Sequence, residues 1–341
     1  MPHKILLDPY ARTIELLFKP EDYSRLQSAA DLVWAQNEAA PDEVIESVRE
    51  DLFGIVTGRW SYGDVGRFPN LKVIAEMSGG FPPPDKLDYA ACFARGIRVL
   101  SCAPAFGPTV AEMGIGLALA VARRIVWYDA SLKRGEWRLP DLATHEPEKH
   151  LEHSLYGLQA GFIGLGSLAR CLKPLLEPFG CPIQAYDPWM TDAYLELQGV
   201  TPVDLETLVS TSKLIFVLAT PSGSNREQMG RALLEKISSD AIFLLLSRSH
   251  VVDFDALTDL LLEGRFRAGI DVYPEEPLPL DHPIRNAPNV VFSTHRAGAI
   301  QEAFHNLGRM VTNDIVAVVN GLLPREMQVA DPAYIDLRGT R

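Results

Sequence analysis

Arg248, Glu276 and His295 each stand just past an apolar, strand-like run, in the segments LLSRSHVVD, GIDVYPEEP and STHRAG. A guanidinium, a carboxylate and an imidazole delivered to one edge of a sheet suit a particular chemistry. The arginine can grip a carboxylate through two parallel hydrogen bonds. The histidine can protonate an oxygen on which negative charge develops, and the glutamate can keep that histidine charged and oriented. Together they meet the demands of carbonyl reduction. Each residue also has a plainer reading. Arg248 could be a surface ion-pair partner, Glu276 the start of a Glu-Pro turn with Glu275 as its rival, and His295 a satisfied core histidine.

A second constellation lies upstream in AGFIGLGSLA, residues 160–169. Gly164 permits a tight turn, Gly166 lets the backbone approach a pyrophosphate, and Ala169 takes the third position, where a small residue allows close helix–strand packing. A helix opening at Ser167 would aim its free N–H groups and positive dipole end at phosphates. A further strand ends at Asp187, 21 residues after Gly166, where an acid can accept from ribose hydroxyls. Pro188 and Trp189 follow it rather than an arginine, which favours NAD over NADP. The plainer alternative is a structural turn with an incidental aspartate.

These groups need a scaffold. In the first hundred residues, Lys4–Asp8, Asp31–Ala35, Leu52–Thr57, Leu71–Met77 and Arg98–Cys102 read as strands, with helical patterns over Pro20–Ala30, Pro41–Glu50 and Asp85–Gly96. Such alternation implies βαβ units and a parallel sheet. A long helix is expected from Thr109 to about Gly135, opened by a Thr109–Glu112 capping box. Its small residues suit close packing against another backbone. The polar stretch Arg138–His153 reads as a surface loop.

A second series follows, with strands at Ala160–Gly164, Pro182–Asp187, Lys213–Leu218, Ala241–Ser247, Phe266–Asp271 and Val290–Ser293. Helices are expected over Ser167–Phe179, Asp192–Gly199, Arg226–Ile237 and Asp253–Glu263, and a last one over Ile300–Asn320. Six strands with intervening helices fit a doubly wound dinucleotide-binding domain.

The bulk properties narrow the field. The net charge of −12 argues against nucleic-acid or anionic-membrane partners, which need a basic face. The longest helical apolar run, Met113–Ala122, reads as too short to span a bilayer. Cys92, Cys102, Cys171 and Cys181 form no CxxC pair and read as buried thiols of a reducing compartment. The opening MPHKILLDPY has no signal-peptide pattern, so a cytoplasmic protein is expected. The remaining histidines show no metal-ligand spacing, and no metal is expected.

The chain resembles the D-isomer-specific 2-hydroxyacid dehydrogenase family, most plainly from Leu71 to about Gly321. The likeness rests on VAE at Val110–Glu112, GEW at Gly135–Trp137, LYG before the glycine turn, YDP at Tyr186–Pro188, the RxxxVD stretch, DVYPEEP and THRAG. It implies a doubly wound (Rossmann) cofactor domain, residues 107–300, inserted in a flavodoxin-like α/β substrate domain formed by 1–106 and 301–341, with catalysis in the cleft. By position, it implies that Arg248 orients the substrate, with Glu276 and His295 as the acid–base pair. Ser167 and Leu168 would offer amides to the pyrophosphate, and Asp271 would lie near the nicotinamide carboxamide. Ala219, Leu246, Ser247, His295 and Gly298 are further expected cofactor contacts. The implied reaction is NAD-dependent interconversion of a small D-2-hydroxy acid and its 2-oxo acid, in a homodimer joined through the long helix.

Some positions depart from the family pattern. The loop whose amides bind the substrate carboxylate reads Ser78-Gly79-Gly80 and is followed by Phe81 and three prolines, Pro82–Pro84, which stiffen it and remove donors. Ser167 stands where an arginine often reaches the pyrophosphate. Arg296 follows the histidine where an apolar residue is usual, and a second positive group there would favour a substrate with extra negative charge. Formate dehydrogenases of similar architecture carry glutamine at the position of Glu276, which argues against that activity. Phosphite oxidation, and an NAD-sensing corepressor without catalysis, remain as alternatives.

Overall fold

The computed structural model describes residues 2–137 and 152–339; most of the expected loop 138–153 therefore lies outside the described residues. The chain divides into two compact units, one of Met1–Phe106 with Ala299–Arg341, the other of Gly107–Gly298.

The first unit begins with β1 (Lys4–Asp8), β2 (Asp31–Trp34), β3 (Leu52–Thr57), β4 (Val73–Glu76) and β5 (Arg98–Ser101). They run parallel in the order β5-β4-β3-β1-β2. Ile5, Leu7, Val56, Val73 and Ala75 pack with Leu307, Val311 and Ile315 of a later helix on one face. Leu6, Ile55, Ile74 and Phe68 fill the other. Near-continuous apolar strands are what a sheet covered on both faces requires. The order reverses between β1 and β3, and at such a switch point ligands settle beyond the carboxyl ends of the strands.

The second unit contains β6 (Ala160–Ile163), β7 (Ile183–Tyr186), β8 (Thr201–Pro202), β9 (Leu214–Val217), β10 (Ile242–Leu245), β11 (Arg267–Ile270) and β12 (Val290–Phe292). All are parallel, in the order β12-β11-β10-β9-β6-β7-β8. This is the doubly wound sheet expected from the strand count, with the short β8 as a seventh strand. The chain then returns to the first unit through the helix Gln301–Val319 and adds β13 (Gln328–Val329), antiparallel to β5. Asp314 fixes that return by accepting backbone N–H groups from Arg325, Glu326 and Met327.

Four expectations change. The long helix is two, Gly107–Ala122 and Ile125–Lys133. Arg124 between them takes φ +50°, a left-handed backbone that interrupts the helical ladder. The first helix starts before Thr109, so Thr109 is not its cap. Arg226–Ile237 is helical only over Arg231–Leu234, because the Glu227 and Met229 amides donate instead to the carbonyls of His250 and Val251. Finally, the apolar stretch Ala103–Ala122 has 20 residues and could cross a bilayer by length and composition. It is longer than the run read from the sequence. Half of it is buried within the protein, where Val110, Gly114, Leu117 and Ala118 belong to the core.

Candidate active site

β6 leads straight into the glycine turn. Gly164 has φ +93°, and a Cβ there would lie 2.7 Å from the Ala219 Cα. Only glycine fits that backbone and that approach to the end of β9. Gly166 differs: a Cβ there would meet nothing within 4 Å, so its open side is space that a ligand can fill. The helix Ser167–Leu176 begins directly after it, leaving the first amides, those of Ser167 and Leu168, without intrahelical partners. Ala169 is fully buried.

Asp187 ends the neighbouring strand and holds this turn. One carboxylate oxygen accepts the Leu165 N–H at 2.8 Å and the other the Trp189 N–H at 2.9 Å. Each oxygen keeps a second lone pair for a ribose hydroxyl. A cavity of about 320 Å³ opens beside it, lined by Gly164, Gly166, Asp187, Ala219 and Gln228 among others. Past β10, Ser247 is 5% exposed, yet its hydroxyl has no hydrogen-bond partner among the described residues. An orphaned buried hydroxyl calls for a ligand to complete it. The open glycine, the half-used aspartate, the cavity and the orphaned hydroxyl all fit a dinucleotide.

Arg248, Glu276 and His295 follow β10, β11 and β12, three adjacent parallel strands. Neighbouring strands lie about 4.8 Å apart, so one edge of the sheet presents all three groups. His295 Nδ1 and Glu276 Oε2 are 2.6 Å apart, which leaves Nε2 to face a reactant. The other Glu276 oxygen accepts the Tyr273 N–H at 3.0 Å. Tyr273 in turn donates its hydroxyl to the Ser293 carbonyl at 2.6 Å. Burial and then the nearby Asp271 charge push the Tyr273 phenol up to about 12, so it serves as a donor that stays neutral.

His295 itself has φ +55°, a conformation uncommon outside glycine. Asp271, 1% exposed, fixes it. Its carbonyl accepts the His295 N–H at 2.8 Å, and its carboxylate accepts those of Arg296 and Ala297 at 2.9 and 3.3 Å. Sequence reasoning gave Asp271 only a place near the cofactor and passed over Tyr273, although both lie in the DVYPEEP segment. Arg248 is exposed, with Nη1 donating to the Ser247 carbonyl at 2.7 Å. Among the described residues no cluster of His, Cys, Asp or Glu could hold a metal ion.

A family model described as "D-isomer specific 2-hydroxyacid dehydrogenase, NAD binding domain" matches residues 115–297, the span that carries every one of these groups from the glycine turn to His295. The chain belongs to the D-isomer-specific 2-hydroxyacid dehydrogenases. Glyoxylate reductase of Thermococcus litoralis is 31% identical over 86% of this chain and 88% of its own. D-3-phosphoglycerate dehydrogenase of Methanocaldococcus jannaschii is 32% identical over 83% of this chain and 52% of its own. The crystal structure of a phosphoglycerate oxidoreductase from Rhizobium etli superposes with a TM-score of 0.83 at 32% identity, covering 97% of this chain and 99% of that one.

This dehydrogenase is therefore an NAD-dependent oxidoreductase acting on the CH–OH group of 2-hydroxy acids and on the matching 2-oxo acids. In its first unit, Ser78–Gly80 directly follow the end of β4, with Gly79 exposed. Arg12 donates to the Met77 carbonyl at the start of this loop. Pro82 is buried, and its carbonyl accepts the Tyr89 hydroxyl at 2.6 Å. The loop is thus clamped at both ends.

Proposed function

We propose that the protein reduces a small 2-oxo acid to the D-2-hydroxy acid, and runs the reverse oxidation, with Arg248, Glu276 and His295 as its working groups. The observation that carries this reading is the 2.6 Å pair of His295 and Glu276 on the same strand edge as Arg248. When bound, the reduced nicotinamide supplies a hydride to C2 of the substrate. Arg248 holds the substrate carboxylate bidentately, so that C2 presents one face; within the first unit, the Ser78–Gly80 amides are the donors read as suited to a carboxylate. His295 Nε2 gives its proton to the carbonyl oxygen as that oxygen gains charge. Glu276 stabilises the imidazolium before the transfer and keeps Nδ1–H directed at itself afterwards. In oxidation His295 takes the hydroxyl proton back.

Ser167, Leu168, Ala219, Leu246, Ser247 and Gly298 would complete the cofactor's contacts. Arg296, exposed beside His295, would favour a second anionic group on the substrate. The test is oxidation of NADH, and separately of NADPH, by the purified protein with a panel of 2-oxo mono- and diacids. Turnover with NADH supports the reading; NADH binding with no turnover on any of them contradicts it.

A further inference from the structure

Glu76 is the last residue of β4 and stands two residues before Ser78. It is 3% exposed, and its Oε2 has no hydrogen-bond partner among the described residues. The groups facing it come from three other strand ends. Arg12 lies in the loop after β1, and Arg59, the Trp60 amide and Tyr62 follow β3. Cys102, fully buried and pushed up by that burial, follows β5. Tyr62 donates to Asp8 Oδ2 at 2.6 Å, while Asp8 Oδ1, like Glu76 Oε2, has no hydrogen-bond partner among the described residues.

Loss of solvent dominates this carboxyl. The Ser78 side chain, the Trp60 amide and the charges of Arg59 and Arg12 favour its ionised form, yet burial outweighs them and raises it to about 7. It ends β4, and the chain passes from it through Met77 into the Ser78–Gly80 loop, to which the functional reading assigns the substrate carboxylate.

We propose that Glu76 sets the affinity of the Ser78–Gly80 loop for an anion: neutral, it permits the substrate carboxylate to bind, and ionised, it repels it. The proposal rests on the functional reading above. Glu76 touches no reactant; it is a positioning residue that acts through the loop and its own charge. A like charge two residues from the loop, in surroundings drier than water, weakens anion binding by about ten- to a hundredfold. Binding the substrate would therefore draw a proton onto Glu76 at pH values above about 7.

The experiment measures KM for the 2-hydroxy acid, with saturating NAD, from pH 6 to pH 9 in the wild type and in Glu76→Gln and Glu76→Asp. In the wild type KM rises about tenfold or more across this range while kcat does not fall. Glu76→Gln holds KM at its low-pH value throughout, and Glu76→Asp restores the rise. A flat wild-type KM, or the same rise in Glu76→Gln, overturns the proposal. Should Glu76→Gln not fold, Glu76→Met, of similar volume and without charge, takes its place with the same two outcomes. An enzyme that oxidises no 2-hydroxy acid at any pH overturns the functional reading, and the role of Glu76 falls with it; turnover with a flat KM removes only Glu76.

Discussion

Asp271 holds the backbone of His295 in place. Its carbonyl oxygen accepts the His295 N–H at 2.8 Å, while its carboxylate takes the next two amides of the chain. The left-handed conformation of His295 is thereby maintained by a buried side chain, and the imidazole is directed at Glu276. Backbone strain of this kind persists only where the surroundings over-determine it.

Asp271→Asn therefore reaches the chemistry through the turn. The amide retains one acceptor but presents an NH2 group to the second backbone N–H, which leaves a buried donor unpaired. Stability should fall by about 1–3 kcal/mol and kcat by about tenfold or more. Urea unfolding and steady-state kinetics measure the two effects; unchanged values of both would remove Asp271 from this role.

Glu276→Gln keeps an acceptor for Nδ1–H and removes the charge that favours the imidazolium. Reduction should lose about ten- to a hundredfold in turnover. Oxidation, which needs the neutral ring, should be less affected. Equal losses in both directions would assign Glu276 a packing role.

The two glycines of the turn separate fold from ligand. Gly164→Ala forces a Cβ to within 2.7 Å of the Ala219 Cα at φ +93°, so the protein itself should be destabilised. Gly166→Ala meets nothing within 4 Å and should melt at the wild-type temperature. Its methyl group occupies the space assigned to the pyrophosphate, so the Kd for NADH should rise about tenfold or more. Thermal melts with and without NADH distinguish the two; a Gly166→Ala protein with wild-type affinity would move the pyrophosphate elsewhere.

Glu76 should also govern stability. Burial raises its carboxyl from 4.5 to about 7, so the folded state prefers the neutral form. That preference costs nothing below about pH 4.5, and stability is lost as pH rises through about 7. Glu76→Gln should match the wild type near pH 4.5 and exceed it at pH 8 by up to about 3 kcal/mol. Denaturant midpoints at the two pH values check this. A variant less stable than the wild type at pH 8 would reverse the sign.

The elements that were legible in the sequence are those with one dominant signal. β1 and β3 have apolar centres and β10 is apolar throughout, and the glycine turn and the DVYPEEP segment carry their spacing openly. What stayed hidden depends on contacts distant in the chain. The break at Arg124 has no proline or glycine to mark it. The segment Arg226–Gly230 reads as helix, yet its amides are taken by His250 and Val251, more than twenty residues later. The pairing of His295 with Glu276 could be anticipated from residue type, whereas the Asp271 clamp depends on register between β11 and β12. Glu76 carried no signal, because a single acid after an apolar strand ordinarily reads as the end of that strand in water.

The most direct test of the central claim is single-turnover oxidation of bound NADH by a 2-oxo acid in the wild type and in His295→Ala. The account expects unchanged NADH binding in the variant and a rate lower by about 10²–10⁴-fold, the usual size of general acid catalysis. A variant that binds NADH and reduces the 2-oxo acid at the wild-type rate would contradict it.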